Sequence, residues 1–307
     1  MTTTDKAYLV TGPTSGMGRA AALELAKHGK VVLVGRDRAK LDQLRKLIEH
    51  KGQQAVSVVC DLSDLRSARR AAAEIIALKL PIAGVLNNAG IMQQRATKSA
   101  QGWDLSFATN HLGPFVLTEA LVPHLADGTN VIFVGSAVED PERGLAVAAG
   151  FRGSRYVSAE ASARGEWRPG GSTKPGMDAY ASSKQCSIVT ALAFARETPR
   201  LRFNAVEPGF NPATNLGGAD AGAFVRFMQR FVVPLLVPIL MPFVKILTTT
   251  KRAGRVLSQL VMDPSGRTGV YFDEHGNPMQ GSPQLRNPQF QDRVVAETRA
   301  LLAAAFT

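Results

Sequence analysis

Tyr180 and Lys184 stand four residues apart in a stretch with helical character. Residues at this spacing lie on the same face of an α-helix, where an ammonium group can lower the pKa of a neighbouring phenol. Such a phenol can exchange a proton with a carbonyl or alcohol oxygen while a hydride moves at the adjacent carbon. Tyrosine and lysine are also common at this spacing on helix surfaces, so a catalytic interpretation needs further groups.

A serine supplies one of these groups. Ser136 directly follows a predicted strand, and a hydroxyl at the carboxyl end of a strand is suited to hydrogen-bond a substrate oxygen. Ser158, Ser162 and Ser172 are nearer to Tyr180 in the sequence, but none of them follows a strand. We therefore select Ser136 as the catalytic serine.

A glycine-rich turn follows the first predicted strand and opens a helix. The residues that we expect to border a dinucleotide are Gly12, Thr14, Ser15, Gly16, Met17 and Gly18. Glycine is needed where the chain turns sharply, where the backbone approaches a pyrophosphate and where the helix packs against the strand. The helix N-terminus adds N–H groups and the positive end of its dipole. A glycine cluster alone also fits an ordinary tight loop, but strand, turn and helix together favour dinucleotide binding.

The end of the second predicted strand indicates which dinucleotide is bound. An NAD-selective protein usually places an acidic residue here for the ribose hydroxyls, whereas this chain has Gly35 followed by Arg36. An arginine can bind a 2′-phosphate through two charge-assisted hydrogen bonds, so we predict NADP(H) as the cofactor. The alternative is that Arg36 is a solvated loop residue and that Asp37 reaches the ribose.

Short apolar runs alternate with amphipathic stretches, and this alternation predicts the elements that position these groups. Strands are predicted at residues 7–10, 31–34, 55–59, 84–86, 131–134, 201–206 and 269–272. Helices are predicted at residues 19–28, 38–50, 67–80, 103–125 and 180–196. The pattern is typical of an α/β protein with a Rossmann-type doubly wound parallel sheet. We predict a single domain over residues 1–307, with ligands bound beyond the carboxyl ends of the strands.

The motifs and their order resemble those of the short-chain dehydrogenase/reductase family. The similar segments are the glycine turn 11–18, Asp61-Leu62, Asn87-Asn88-Ala89-Gly90, Asn110, Ser136, Tyr180-Ala181-Ser182-Ser183-Lys184 and Pro208-Gly209. Each motif is weak alone, but seven in the family's order make chance a poor explanation. The resemblance covers essentially the whole chain.

The resemblance implies a role for each of these residues. The catalytic group would be Asn110, Ser136, Tyr180 and Lys184, with Asn110 holding a water that links Lys184 to solvent. Besides the glycine turn and Arg36, the cofactor would be bound by Asp61, Leu62, Asn88, Ala89, Gly90, Tyr180, Lys184, Pro208, Gly209 and Thr214. Asp61 would contact the adenine, and Lys184 would also bind the nicotinamide ribose. Asp61 equally fits a residue near a helix N-terminus.

The segment 137–178 departs from the family's usual pattern. It separates Ser136 from Tyr180 by 43 intervening residues, and its composition predicts an irregular surface insertion. A long insertion at this point resembles the retinol dehydrogenase and light-dependent protochlorophyllide reductase branch of the family. Members of that branch handle large, apolar substrates.

A second unusual segment lies at residues 210–250 and contains a strongly apolar run, 224–247. We predict that it forms a flap over an apolar substrate pocket. Contact with another subunit is the second alternative, and shallow contact with a membrane surface is the third. Its uncharged core, 231–244, is too short to cross a bilayer as a helix, so no transmembrane span is predicted.

The bulk properties are those of an ordinary globular protein, with 307 residues, 45% hydrophobic and 20% charged. The net charge of +11 is spread over helical stretches without a compact basic run, which argues against nucleic-acid binding. Cys60 and Cys186 read as reduced structural thiols, and no metal is expected. With no signal peptide at the N-terminus, we predict a cytoplasmic protein.

Together these features predict an NADP(H)-dependent oxidoreductase. The expected reaction interconverts a bulky, largely apolar ketone or aldehyde and its alcohol by hydride transfer, with tyrosine as the acid–base. One alternative is reduction of a carbon–carbon double bond, as in the protochlorophyllide reductases. Another is a catalytically silent protein that senses nicotinamide nucleotides. The resemblance implies a homo-oligomer, although no motif fixes the oligomeric state.

Overall fold

A single parallel sheet organises the chain. The computed structural model describes residues 6–210 and 248–306. Its strands are β1 (Ala7–Thr11), β2 (Lys30–Gly35), β3 (Ala55–Val59), β4 (Ile82–Asn87), β5 (Asn130–Val134), β6 (Arg202–Val206) and β7 (Tyr271–Phe272). They are ordered β3-β2-β1-β4-β5-β6-β7, and all neighbouring pairs are parallel. The winding reverses between β1 and β4, which opens the crevice where doubly wound sheets bind ligands. The predicted fold class is confirmed.

Helices cover both faces of the sheet. They are α1 (Gly16–Leu25), α2 (Arg38–Glu49), α3 (Leu65–Ala77), α4 (Leu105–Phe107), α5 (Gly113–Leu121), α6 (Gly144–Ala148), α7 (Ala159–Arg164), α8 (Pro175–Glu197), α9 (Thr250–Val261) and α10 (Pro288–Phe306). One core cluster joins α1, α2 and α9 to one face, and another joins α3, α5, α8 and α10 to the other. Every residue of β1 is therefore buried, as its continuous apolar run predicts.

The predicted helix 103–125 is wrong as one continuous helix. A π-helical turn, Ala108–Leu112, separates α4 from α5, and a 3₁₀ turn, Val122–His124, ends the stretch. Pro114 offers a physical reason, since a proline has no N–H to donate to the carbonyl of Asn110 four residues earlier. That carbonyl instead accepts a hydrogen bond of 2.9 Å from the Ser187 hydroxyl on α8.

The predicted surface insertion 137–178 is more ordered than expected. It contains a 3₁₀ turn, Ala137–Glu139, and the helices α6 and α7. Tyr156 is only 3% exposed, and its hydroxyl donates a 2.5 Å hydrogen bond to Glu297 on α10. The segment therefore packs into the core against a C-terminal helix that the sequence patterns did not predict.

Part of the predicted flap, 210–250, falls outside the described residues, which stop at Phe210 and resume at Thr248. Thr214 and the apolar run 224–247 belong to that part. Within the described ranges, none of the helices combines the length and apolar character that crossing a bilayer requires.

Candidate active site

A cleft of about 550 Å³ lies at the carboxyl ends of β1, β2, β3 and β4. Its lining residues are Gly12, Thr14, Ser15, Gly16, Met17, Gly18, Val34, Gly35, Arg36, Asp37, Lys40, Cys60, Asp61, Leu62, Asn88, Ala89, Gly90, Ile91 and Thr109. Most of the residues predicted to bind the cofactor are thus brought together. The exceptions are the residues near the nicotinamide end, which follow below, and Thr214.

The glycine turn lets the protein backbone approach a bound ligand closely. Gly12 and Gly16 have φ angles of +65° and +53°, which glycine adopts without strain. A Cβ atom on Gly18 would lie 2.4 Å from the Gly12 carbonyl oxygen and 2.3 Å from the Asn88 side-chain nitrogen. Ser15 begins α1 without a side-chain cap, so the helix N-terminus faces the cleft unblocked. This cradle fits a pyrophosphate.

Thr11 and Asn88 hold the turn to the end of β4. The Thr11 hydroxyl accepts hydrogen bonds of 3.0 Å from the backbone amides of Asn88 and Ala89. The Asn88 side chain donates to the carbonyls of Thr11 at 2.9 Å and Gly12 at 3.3 Å. Thr11 was not predicted as a site residue, although its place at the start of the glycine motif is a signal for it.

Arg36 and Asp37 differ in availability. The Asp37 carboxylate caps α2 by accepting from the Lys40 amide at 3.1 Å and pairs with the Lys40 ammonium at 3.2 Å. Arg36 is exposed at the rim of the cleft, and no described residue bonds to its guanidinium. Among the residues that the structure describes, Arg36 is thus an unpaired cation that lines the cleft.

Asp61 also lines the cleft, two residues after the end of β3. Its carboxylate accepts from the amide and hydroxyl of Ser63 at 2.9 and 2.7 Å. The cap of α3 is Asp64, which accepts from the Arg66 amide, so Asp61 is not needed to start that helix. Leu62 is buried beside it, against Gly113.

The structure brings Ser136, Tyr180 and Lys184 together across the insertion. Ser136 lies close enough to Tyr180 to lower the pKa of its phenol as a hydrogen-bonding neighbour, and the Lys184 ammonium lies 5.7 Å from the centroid of the Tyr180 ring. The same ammonium donates a 2.8 Å hydrogen bond to the carbonyl of Val134, the last residue of β5. Gly90 completes this group, since a Cβ there would lie 3.2 Å from the Lys184 nitrogen.

The other serines have local structural roles. Ser158 caps α7 by accepting from the Ala161 amide at 3.1 Å. Ser162 is fully buried within α7. Ser172 donates to the carbonyl of Lys174 at 2.7 Å. This geometry favours Ser136.

Burial dominates the protonation of the Tyr180–Lys184 pair. It raises the pKa of Tyr180 above its ordinary value; the negative charge of Glu207 acts in the same direction, and the Ser136 hydrogen bond opposes both. Burial also lowers the pKa of Lys184 to about 8, and here the negative charge of Glu207 opposes the effect of burial. The expected lowering of the phenol pKa is therefore absent here, because desolvation disfavours the phenolate and the ammonium alike.

Asn110 anchors the segment after β4. Its side-chain oxygen accepts from the Ile91 amide at 2.8 Å, and its nitrogen donates to the Ile91 carbonyl at 2.9 Å and the Ser183 hydroxyl at 3.0 Å. The residue sits in the π turn, a distortion that is frequent at functional sites. Its role in a proton relay stays a prediction.

Glu207 is a buried acid that the sequence patterns did not single out. It ends the run of β6 immediately before Pro208 and Gly209, which are also buried, and none of the three lines the cleft. Gly209 has a φ of +81°. A charged residue between an apolar strand and a Pro-Gly turn is the signal that could have found it.

An apolar wall flanks Tyr180 on the side of the insertion. The Phe151 ring lies 6.4 Å from the Tyr180 ring, inclined by 51°. Ala146 and Ala181 belong to the same cluster, and Met92, Val138 and Met177 pack around it. Leu145 and Phe210 are exposed apolar side chains, at 60% and 59%.

Comparison with known proteins agrees with these observations. A family model described as short chain dehydrogenase matches residues 6–148. A short-chain dehydrogenase/reductase from Armillaria gallica is 32% identical over 207 residues, which cover 63% of this chain and 60% of that protein. Protochlorophyllide reductase B from Oryza sativa subsp. japonica is 29% identical over 304 residues, covering 90% of this chain and 71% of that protein.

Two further proteins extend the comparison. Mouse retinol dehydrogenase 14 is 37% identical over 130 residues, which cover 38% of this chain and 39% of that protein. An Escherichia coli CFT073 protein solved in complex with NADPH is 26% identical with a TM-score of 0.60, covering 88% of this chain and 97% of that one. This chain is similar to members of the short-chain dehydrogenase/reductase family, among them a retinol dehydrogenase and a protochlorophyllide reductase.

Proposed function

We propose that this chain is an NADP(H)-dependent reductase of a bulky, largely apolar ketone or aldehyde, with Tyr180 as the proton donor. The observation that carries the proposal is the meeting of Ser136, Tyr180 and Lys184 beside Gly90, which lines the dinucleotide cleft. These residues come from the loop after β5 and from α8, which the insertion separates along the chain.

The protonation of Tyr180 at neutral pH is the form that the reductive direction requires. A buried phenol with a raised pKa is protonated at neutral pH, so Tyr180 can give its proton to an oxygen that gains negative charge. Ser136 would donate a hydrogen bond to the same oxygen, and Lys184 would hold the ribose and stabilise the resulting phenolate. The reduced nicotinamide supplies the hydride when it is bound.

The apolar wall supports a large apolar substrate. Phe151, Met92 and Met177 line the side of Tyr180 that faces the insertion, and pockets for small molecules are typically lined by such side chains. Leu145, the chain neighbour of Ala146, and Phe210, which follows the Pro208–Gly209 turn, are further apolar side chains, and both are exposed.

The availability of Arg36 supports NADP(H) over NAD(H). Its guanidinium has no bond to a described residue, whereas the Asp37 carboxylate is engaged by Lys40. The related Escherichia coli protein is itself complexed with NADPH.

The test is consumption of NADPH over a panel of steroids, retinoids, aromatic ketones and long-chain aldehydes. Tyr180→Phe should reduce kcat by about 100-fold or more, since general acid catalysis contributes on this order, while NADPH binding stays within about twofold. Tyr156→Phe is the matched control, because it removes a hydroxyl from another buried tyrosine outside the site. Wild-type turnover by Tyr180→Phe would refute the role of Tyr180.

Reduction of a carbon–carbon double bond is a second candidate. It is favoured by the 29% identity to protochlorophyllide reductase B over 304 residues. Product analysis separates the two reactions, because only reduction of the carbon–carbon double bond leaves the carbonyl group of the substrate intact. A wild-type protein that binds NADPH but consumes none across the panel would instead favour a silent nicotinamide sensor. A cytoplasmic location and a homo-oligomeric state stay predictions.

A further inference from the structure

Glu207 is the last buried side chain before the turn that follows β6. It is only 4% exposed, and no described residue forms a salt bridge with it. A buried carboxylate without an ion pair is costly unless hydrogen bonds satisfy it. The groups that hydrogen-bond to the Glu207 carboxylate therefore indicate its role.

The two carboxylate oxygens bind backbone amides from two different loops. One oxygen accepts from the amide of Ala137, and the other accepts from the amide of Gly209 at 2.9 Å. Ala137 directly follows Ser136 beyond β5, and Gly209 directly follows Pro208 beyond β6. A single side chain thus joins the loops at the ends of two adjacent strands.

This bridge continues the sheet beyond its last paired residues. β5 and β6 pair as far as Val134 and Val206, and the Gly135 amide donates to the Val206 carbonyl at 2.9 Å. Ser136 comes next along the chain, and the residue after it is Ala137, whose amide donates to the Glu207 carboxylate. Ser136 is therefore fixed on both sides, by the sheet before it and by the carboxylate after it.

The position of Ser136 matters because its side chain is the hydrogen-bonding neighbour that acts on Tyr180. Tyr180 and Lys184 are set by α8, a long buried helix, whereas Ser136 and the Pro208–Gly209 turn lie on loops. Loops are less rigid than the elements they connect. A site that places groups to within about 0.5 Å needs such loops to be locked by hydrogen bonds.

We propose that Glu207 is a positioning residue, which locks the Ser136 loop and the Pro208–Gly209 turn together and so sets both against Tyr180. This inference rests on the proposed function for the catalytic importance of Ser136. The locking of the two loops can be tested without turnover.

The test compares Glu207→Gln with Glu139→Gln. Glutamine has nearly the shape of glutamate, but only one of its terminal atoms can accept an amide hydrogen, so one loop is released. Glu139 is the matched control because its carboxylate is also buried and accepts a backbone amide, that of Ser282 at 2.9 Å, but forms no hydrogen bond to Ala137 or Gly209. Glu139 lies in the same turn as Ala137 and its amide donates to the Ser136 carbonyl at 3.2 Å, and the substitution leaves that backbone bond in place. The two variants therefore differ in whether the altered carboxylate joins the Ser136 loop to the Pro208–Gly209 turn.

We expect Glu207→Gln to lower kcat by about 10-fold to 100-fold, the cost of a small misplacement of catalytic groups, with the Kd of NADPH changed by less than about threefold. Glu139→Gln should keep kcat within about threefold of wild type. Equal kcat values for Glu207→Gln and the wild type, in a preparation where Tyr180→Phe is inactive, would overturn the inference while leaving the proposed function intact.

Amide hydrogen exchange gives a readout that needs no substrate. Glu207→Gln should speed exchange in the peptides that contain residues 136–137 and 209 by about 10-fold or more, since a protecting bond is lost. Unchanged protection in both peptides would overturn the inference. If Glu207→Gln does not fold, Glu207→Asp replaces it: the shorter carboxylate should also release one loop, and full activity together with wild-type protection would count against the role.

Discussion

Tyr180 and Lys184 show how burial changes the chemistry that residue types suggest. Spacing alone predicts that the ammonium lowers the phenol pKa, but burial raises the pKa of Tyr180 and lowers that of Lys184 to about 8. Removing either charge from water costs more than the pair recovers at this separation. Burial therefore does not by itself activate the phenol, and Tyr180 is protonated at neutral pH.

The lowered pKa of Lys184 predicts a conflict between activity and stability. Unfolded lysine titrates near 10.5, so between about pH 8 and 10.5 the unfolded state binds more protons and the wild-type stability rises with pH. At pH 7 the buried charge costs roughly 3 kcal/mol. Lys184→Met should therefore abolish turnover yet raise the free energy of unfolding at pH 7 by about 1–3 kcal/mol, with part of the gain offset by the lost bond to Val134.

Urea unfolding of the wild type and the variant at pH 7 and pH 10 measures this effect. The exposed Lys174 caps the start of the same helix, so Lys174→Met is the control and should show little change at either pH. A Lys184→Met protein that is less stable than the wild type at pH 7 would contradict the assigned cost of burial.

Arg36 gives a further prediction at the residue scale, which concerns the cofactor preference. Arg36→Ala removes a cation that we expect to bind the 2′-phosphate, and bonds between charged groups contribute about 1.5–3 kcal/mol. The ratio of kcat/KM for NADPH over NADH should fall by about 10-fold to 100-fold. Arg38→Ala is the control, since Arg38 is exposed on α2 but does not line the cleft. An unchanged ratio in Arg36→Ala would favour Asp37 as the ribose ligand.

At the scale of elements, the π turn and the insertion mark where local patterns stop being sufficient. Helical periodicity runs through residues 103–125, but Pro114 leaves the Asn110 carbonyl without a helical donor. The Ser187 hydroxyl on α8 donates a hydrogen bond to that carbonyl instead. The proline was visible in the sequence, whereas the serine 77 residues away that replaces its missing donor was not.

The insertion gives an element-scale prediction through its anchor on α10. The Tyr156 hydroxyl donates to Glu297, and the ring stacks edge-on against Phe290 at 5.9 Å. Tyr156→Phe keeps the ring but leaves a carboxylate with one donor fewer, so the free energy of unfolding should fall by about 1–2 kcal/mol. Val157→Ala changes the exposed neighbour of Tyr156 and should lower the free energy of unfolding by less than about 0.5 kcal/mol.

Thermal and urea unfolding of these two variants checks the anchor. NADPH binding should be retained in both, because neither residue lines the cleft. Equal stability of Tyr156→Phe and the wild type would mean that the insertion rests on the core without depending on this bond.

At the scale of the whole molecule, the sequence by itself determined the fold class and the order of the site motifs. Strand–helix alternation predicts a doubly wound sheet, and the glycine turn, Asn88, Ser136 and Tyr180 then fall at carboxyl strand ends or on the helix beside them. These inferences succeed because periodicity, turn residues and helix spacing are properties of short stretches of chain. They need no knowledge of what lies across the sheet.

Only the tertiary structure decided how those residues behave. It showed that Lys40 engages Asp37 while no described residue bonds to Arg36, that Glu207 joins two loops, and that burial raises the pKa of Tyr180. Each of these properties depends on groups that are distant in the sequence, or on the loss of water around a side chain. Hydrogen bonding and desolvation arise from the packed fold, so a chain-local pattern carries no record of them.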